Sequence, residues 1–291
     1  MRYMLKEFKI SIRQACILLK ISTSVFYYKP VPSQDKEIIA AIEQLLEHDS
    51  DWGFWKVFKT LRNQGNSWNH KRVYRVYKEL QLNIRRRTKK RLPERVKDPL
   101  VLPICPNITW SMDFMQDSLT NGRKFRTLNV IDDFNREVLG IASETSISGH
   151  RVVNELNKII QWRGKPECIR VDNGPEFICK ALEKWADENG IRLIFIKPGQ
   201  PTQNSYIERF NQSYRKGILD KYLFDNLEQV RILTNEWIWR YNNIRPHDSL
   251  MDLTPKQFLL KYGKVDDFPT FQQDINMYNE YEKSILLGVA V

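Results

Sequence analysis

Three carboxylates in widely separated stretches are the residues of this 291-residue chain best placed for chemistry. They are Asp113 in TWSMDFMQD, Asp172 in IRVDNGPEF and Glu208 in QPTQNSYIERFNQSYR. Carboxylate oxygens are hard ligands, suited to Mg²⁺, which keeps several waters and substrate phosphate oxygens in its shell. Two to four acids from separate elements can hold two such ions about 3.5–4 Å apart, for an in-line phosphoryl displacement. The 35 residues between Asp172 and Glu208 select nothing by themselves, because the chain carries 35 acids in all. Asp117, Asp132, Asp133 and Glu176 compete for the same role.

Position favours the first three. From about residue 107 the hydrophobic pattern alternates between strand and helix periods. ITWSMDFMQDSL, KFRTLNVIDDF and REVLGIAS read as three strands, with a turn at Asn121–Gly122. A helix over 148–162 stops at Gly164, ECIRVD is a fourth strand, FICKALEKWADEN a helix closed by Gly190, and IRLIFIKPG a fifth strand. Further helices cover the stretch after 204, then 227–243 and 255–262, the last opened by the capping box Thr254/Gln257 with Pro255 at its first position. The fold class is therefore α/β, a five-stranded mixed sheet with flanking helices. In it Asp113 lies within the first strand, opposite the face of Trp110, Met112 and Phe114, Asp172 at the end of the fourth, and Glu208 early in a helix. In that helix Ile207, Phe210, Tyr214 and Ile218 form the apolar stripe, and Glu208, Gln212 and Arg215 share a neighbouring face. Arg215 is roughly 10.5 Å along the axis from Glu208, too far for the same metal but suited to a DNA phosphate.

The front of the chain differs in composition. Residues 1–100 hold 22 Lys/Arg against 10 Asp/Glu, the remainder 24 against 25, within a total of +11. A basic module joined to a near-neutral one points to a polyanion partner, with double-stranded DNA first. Residues 1–30 read as a helix-turn-helix-like segment, with Ser22 capping its second helix. Residues 35–84 read as an all-helical DNA-binding domain. Its last helix starts at Asn69 and turns Lys71, Arg72, Arg75 and Lys78 away from the apolar face, as for a helix against a phosphate backbone. A basic linker, 85–106, follows, with Arg85, Arg86, Arg87, Lys89, Lys90 and Arg91 as further phosphate contacts or simply a solvated run. Residues 107–262 form the core unit and 263–291 a tail. The four cysteines and four histidines show no zinc-ligand spacing, and no run approaches a membrane span, so a reducing, cytoplasmic setting is expected.

Five motifs in order, TWSMDFMQD, GRKFRTLNVIDDFNRE, IRVDNGPEF, QPTQNSYIERFNQSYR and YNNIRPHDSL…TP, resemble the catalytic core of insertion-sequence transposases of the IS-three group, relatives of retroviral integrases. The resemblance implies an RNase H-like integrase core with Asp113, Asp172 and Glu208 as its Asp-Asp-Glu triad and Arg215 as the basic residue seven positions after the glutamate. It implies Mg²⁺ or Mn²⁺, two ions per site when DNA is bound, and 3′-end cleavage by water followed by strand transfer with no covalent protein–DNA intermediate. Asn173 and Gly174 would shape the turn at Asp172, and Gln203 and Asn204 would help position DNA, or all four serve turn chemistry alone. The implied partners are the element's terminal inverted repeats, target DNA, further copies of the chain and the upstream-frame protein. A bacterial, nucleoid-associated location goes with them. No leucine-heptad segment and no zinc-ligating His/Cys set is present, so the chain is similar to the second-frame product. Met251-Asp252 stands where glycine is common. Two other readings stay open, a DNA-binding regulator with an idle core and a general RNase H-like nuclease or resolvase.

Overall fold

The computed structural model describes residues 2–29, 35–84, 103–197 and 204–263. The basic run Arg85–Arg91, Gln203 and the tail beyond 263 therefore lie outside the described residues. Two compact units divide the chain at Ala41/Ile42.

In the first unit, α1 (Arg2–Glu7), α2 (Ile12–Leu18) and α3 (Thr23–Tyr27) are short. Ser11 and Gln14 close a capping box at the start of α2, and Ser22 caps α3 through Ser24 N–H. Ala15 and Cys16 are buried, whereas Leu19 is exposed.

The second unit contains the end of α4 (Lys36–His48), α5 (Phe54–Asn63), α6 (His70–Glu79) and the sheet with its helices. Gly65, at φ 88°, ends the α5 segment, and Asn69 caps α6. Strands β1 (Thr109–Ser118), β2 (Lys124–Asp132) and β3 (Val138–Glu144) are antiparallel, and β4 (Cys168–Val171) and β5 (Arg192–Phe195) run parallel to β1. The order is β3-β2-β1-β4-β5, a mixed five-stranded sheet. Period-two alternation divides its side chains between two cores. Trp110, Met112, Leu128, Val130, Ile169 and Val171 pack under α7 (Gly149–Arg163) and α8 (Lys180–Asn189). Met115, Phe125, Ile131 and Val138 pack under α9 (Ser205–Tyr214) and α10 (Leu227–Asn243).

The stripe Ile207, Phe210, Tyr214 and Ile218 is buried as the sequence predicts, yet its last member does not continue an α-helix. Residues Arg215–Leu219 form a π-helical turn. Gly217 lies so near α10 that a Cβ there would collide with Trp237 Nε1. The wider turn and the missing side chain together let the backbone slide under the indole.

After α10, a short 3-10 turn (Asp248–Leu250) leads to α11 (Pro255–Tyr262), whose Thr254/Gln257 capping box is formed. Met251 and Asp252 between them adopt φ 55° and 65°, the left-handed region, which explains why glycine suits these positions. This turn receives α5: Lys59 Nζ pairs with Asp248 at 2.7 Å, and Asn63 Nδ2 donates to the Asp252 carbonyl at 2.9 Å. Lys221 Nζ donates to the His48 carbonyl at 2.7 Å, and Arg240 pairs with Asp49. No helix among the described residues is long and apolar enough to cross a membrane.

Candidate active site

Sheet register brings two of the three acids level. Ser111 pairs with Arg170 across the parallel β1/β4 ladder, so Asp113 and Asp172 each stand two residues further along neighbouring strands, which run about 4.8 Å apart. Alternation turns Asp113, with Ser111 and Met115, to the α9 side of the sheet, opposite Trp110, Met112 and Phe114. Helix α9 lies across that side and supplies Glu208 and, three residues later, Asn211.

Hydrogen bonds hold the acids in place. Asn211 Nδ2 donates to Asp113 Oδ2 at 2.7 Å, and Asn129 Nδ2 donates to Asn211 Oδ1 at 2.7 Å. Asn129 is fully buried on β2 directly opposite Asp113. Asp113 also accepts from Phe114 N–H at 2.7 Å. Asp172 Oδ1 accepts from Gly174 N–H at 3.0 Å, and an added Cβ at Gly174 would crowd that same oxygen. Asn173 Nδ2 donates to the Ile196 carbonyl at 2.8 Å, pinning the turn to the end of β5. Neither Asn129 nor Asn211 stood out in the sequence. The available signal was an amide at a core-facing position of each element, in TLNVID and in ERFNQSY.

Ion pairing separates these acids from their rivals. Asp117 pairs with Arg215 at 3.3 Å, Asp132 with Arg163 at 3.3 Å, Asp133 with Arg170, and Glu176 with Arg126. Each rival is paired with a guanidinium in the fold, although burial still raises Asp132 and pushes Asp133 up to about 6. Among the described residues, Asp113, Asp172 and Glu208 have no ion-pair partner. Burial pushes the Asp113 carboxyl up to about 6, and the charges of Asp172 and Glu208 push it the same way, against the Phe114 N–H and Asn211. Burial also raises Glu208. Asp113 thus feels the charges of both other acids. They are not drawn into a closed ligand set: among the described residues no three His, Cys, Asp or Glu side chains gather tightly enough to hold a metal ion. Three hard oxygen donors with an unbalanced negative field suit a divalent cation such as Mg²⁺.

The remaining sequence candidates fall elsewhere. Arg215 is engaged within the fold, with Asp117 and Asp220 and through Nη2 to the Gln116 carbonyl at 3.0 Å. The single-helix spacing that set it free for a phosphate leaves out these two acids, one of them on β1. Asn204 is buried, with Nδ2 donating to the Met112 carbonyl of β1 at 3.5 Å. Gln212 is exposed on α9. On α6, Lys71 and Lys78 are exposed, Arg72 is half-buried, and Arg75 pairs with Glu79 at 2.9 Å.

Comparison with known proteins agrees with this architecture. Residues 103–201 and 189–255 match models described as integrase core domain, and residues 33–91 match one described as HTH-like domain. The chain is 38% identical over 271 residues to the insertion element IS407 uncharacterized 31.7 kDa protein of Burkholderia multivorans, covering 93% of this chain and 98% of that one. It is 40% identical over 262 residues to the insertion element IS476 uncharacterized 39.2 kDa protein of Xanthomonas euvesicatoria, covering 90% and 76%. It is 25% identical over 255 residues to the putative transposase InsK of insertion sequence element IS150 of Escherichia coli, covering 82% and 90%. Among solved structures, a chain of the simian T-cell lymphotropic virus intasome in complex with a PP2A regulatory subunit superposes with a TM-score of 0.50 at 19% identity, over 75% of this chain and 73% of that one. That likeness is one of fold.

Proposed function

This chain belongs to the family of insertion-element proteins built on an integrase core, and from that premise we propose that it is a DNA transposase with Asp113, Asp172 and Glu208 as its catalytic acids. The single observation that supports the assignment is the division among the acids around the sheet. Four rivals are spent on guanidinium groups, and these three, from β1, the end of β4 and α9, are not. A fold that brings like charges together without a partner is destabilised by it, and such sites mark function more often than architecture.

The reaction is two phosphoryl displacements. A water oxygen attacks the phosphorus at the element end, the P–O3′ bond breaks, and a free 3′-hydroxyl is left. That hydroxyl then attacks a target phosphodiester, forming one P–O bond as another breaks. Asp113, Asp172 and Glu208 would hold Mg²⁺ or Mn²⁺. Bound there, divalent ions supply positive charge for the attacking and leaving oxygens. The protein's own contribution is positioning. Asn211 fixes one Asp113 oxygen and favours its ionised form against burial, Asn129 fixes Asn211, and the Gly174 N–H orients Asp172. The HTH-like region, with Lys71, Arg72 and Lys78 on α6 and the basic run Arg85–Arg91, is the surface for double-stranded DNA, reading the terminal repeats in one role and neutralising phosphates in the other. Joining two ends to one target needs more than one copy on DNA. In this reading the chain is the second-frame product, acting with the upstream-frame protein.

The test is cleavage and strand transfer on a duplex bearing an element end, in Mg²⁺ and in Mn²⁺. Asp172→Asn and Glu208→Gln are each expected to lose both steps by at least about a thousandfold with duplex affinity retained. Activity retained by either variant would overturn the triad. An inactive wild-type chain that binds element ends, alone and with the upstream-frame protein, would favour a regulator with an idle core.

A further inference from the structure

The flank of α9 that carries Ser205, Arg209 and Ser213 borders a cavity of about 430 Å³. Its wall takes Lys56 from α5, Arg136 from the β2–β3 turn, Arg209 from α9, and Arg245 and His247 from the segment after α10. Asp248 is the one acid among the described residues of that wall, and it is already hydrogen-bonded to Lys59.

Two of the cations are built in. Arg136 and Arg245 are more than nine-tenths buried, and Nη1 of each is buried without a hydrogen-bond partner. His247 Nε2 is likewise without one. Arg136 is held by stacking, its Cζ 3.4 Å from the centre of the Tyr206 ring, which leaves the guanidinium edge free to donate. Arg245 lies 5.7 Å from the Tyr241 ring centre and reaches Ser213 Oγ only at 3.5 Å. The sites also report one another's charge. Burial, with Arg245 and Arg209, brings the Lys56 ammonium down to about 8. Burial and the four cations hold His247 well below its ordinary value, so it is neutral at physiological pH.

Burying guanidinium groups with donors unmatched is costly, and the acids that act on these cations, Asp133 on Arg136 and Asp49 on Arg245, leave Nη1 of each without a hydrogen bond. We propose that this cavity is an anion subsite that takes a phosphate of the DNA strand, separate from the catalytic acids and on the other flank of the same helix. Forked Arg donors match phosphate oxygens, Lys56 adds charge from the half-buried rim, and the neutral imidazole can donate or accept beside them. The volume admits a phosphodiester with its flanking sugars. Because Arg209 follows Glu208 directly, a strand anchored here would be placed relative to the cleavage site by one rigid helix. That the phosphate belongs to DNA rests on the transposase reading; that the cavity binds phosphate does not.

The experiment is run in EDTA, so it reads no catalysis. Melting of the full chain is followed with and without millimolar inorganic pyrophosphate, and binding of a labelled duplex is measured against salt. Wild type is expected to be stabilised by pyrophosphate. Arg136→Gln with Arg245→Gln should abolish that stabilisation, leave the ligand-free melting temperature unchanged or higher because repulsion is relieved, and reduce the log–log salt slope by about one. Lys56→Gln, at the half-buried rim, should weaken both effects in the same direction and serves if the double variant melts early. Absence of pyrophosphate stabilisation in wild type, or its persistence in the variants, would overturn the subsite. Lost pyrophosphate binding with an unchanged duplex slope would overturn the DNA source and leave a free phosphate ligand. Failure of Asp172→Asn to block cleavage would touch the triad alone.

Discussion

Replacing Asp113 by Asn should make the metal-free protein more stable while ending its chemistry. Asp113 is half-buried, has no cation beside it, and faces the charges of Asp172 and Glu208. Its carboxyl rises from 3.8 to about 6 on folding. A raised carboxyl runs opposite to the common case: below the unfolded value both states are protonated and nothing is lost, and as pH climbs through the folded value the native state bears the cost of ionising. At about 1.36 kcal/mol per pH unit, the cost is roughly 3 kcal/mol near neutrality. Asn keeps an oxygen for Asn211 but turns a donor toward the Phe114 N–H, which gives back about 1 kcal/mol, and partial exposure trims the charge term further. The net expectation is a gain of about 1–2 kcal/mol at roughly pH 7.5 in EDTA, measured by urea unfolding, shrinking to zero or reversing near pH 4. Strand transfer should vanish in the same variant. A destabilised Asp113→Asn at neutral pH, or a gain that persists unchanged at low pH, would refute the unpaired-acid account of this site.

Two further outcomes test the scaffold. Arg163 is buried against Glu137 at 2.9 Å and Asp132 at 3.3 Å, so Arg163→Met should cost about 3–5 kcal/mol in urea unfolding. Burial would raise Glu137, but Arg163 and Lys256 outweigh it and bring the carboxyl down to about 2; its stability is present above about 4.5 and lost as pH falls toward 2. The variant should therefore also unfold at a higher pH on acidification, and an unchanged acid midpoint would contradict the pairing. Met251→Gly relieves a left-handed backbone at φ 55° on a side chain that is mostly exposed, and should raise stability by up to about 1 kcal/mol; a lower unfolding midpoint would refute it.

The sequence by itself determined the order of strands and helices, because apolar periodicity and chain breakers are local. Gly164, Gly190, Ser22, Asn69 and the Thr254/Gln257 box end or begin elements where their side chains and φ preferences say they must. It also picked out Asp113, Asp172 and Glu208 as acids at element positions where sites assemble, and it placed the basic charge in the first hundred residues. Position favoured those acids over Asp117, Asp132, Asp133 and Glu176, but which acids are ion-paired was not legible in the sequence. That distinction depends on which arginine lies opposite which acid, and those partners stand 31 to 98 residues apart. The Asn129–Asn211–Asp113 chain and the cavity lined by Lys56, Arg136, Arg209 and Arg245 were invisible for the same reason. Sheet register and the rotation of α9 about its axis decide such meetings. Both are set by the packing of whole faces, where a shift of one residue in register or about 100° in helix rotation sends every side chain to a different neighbour.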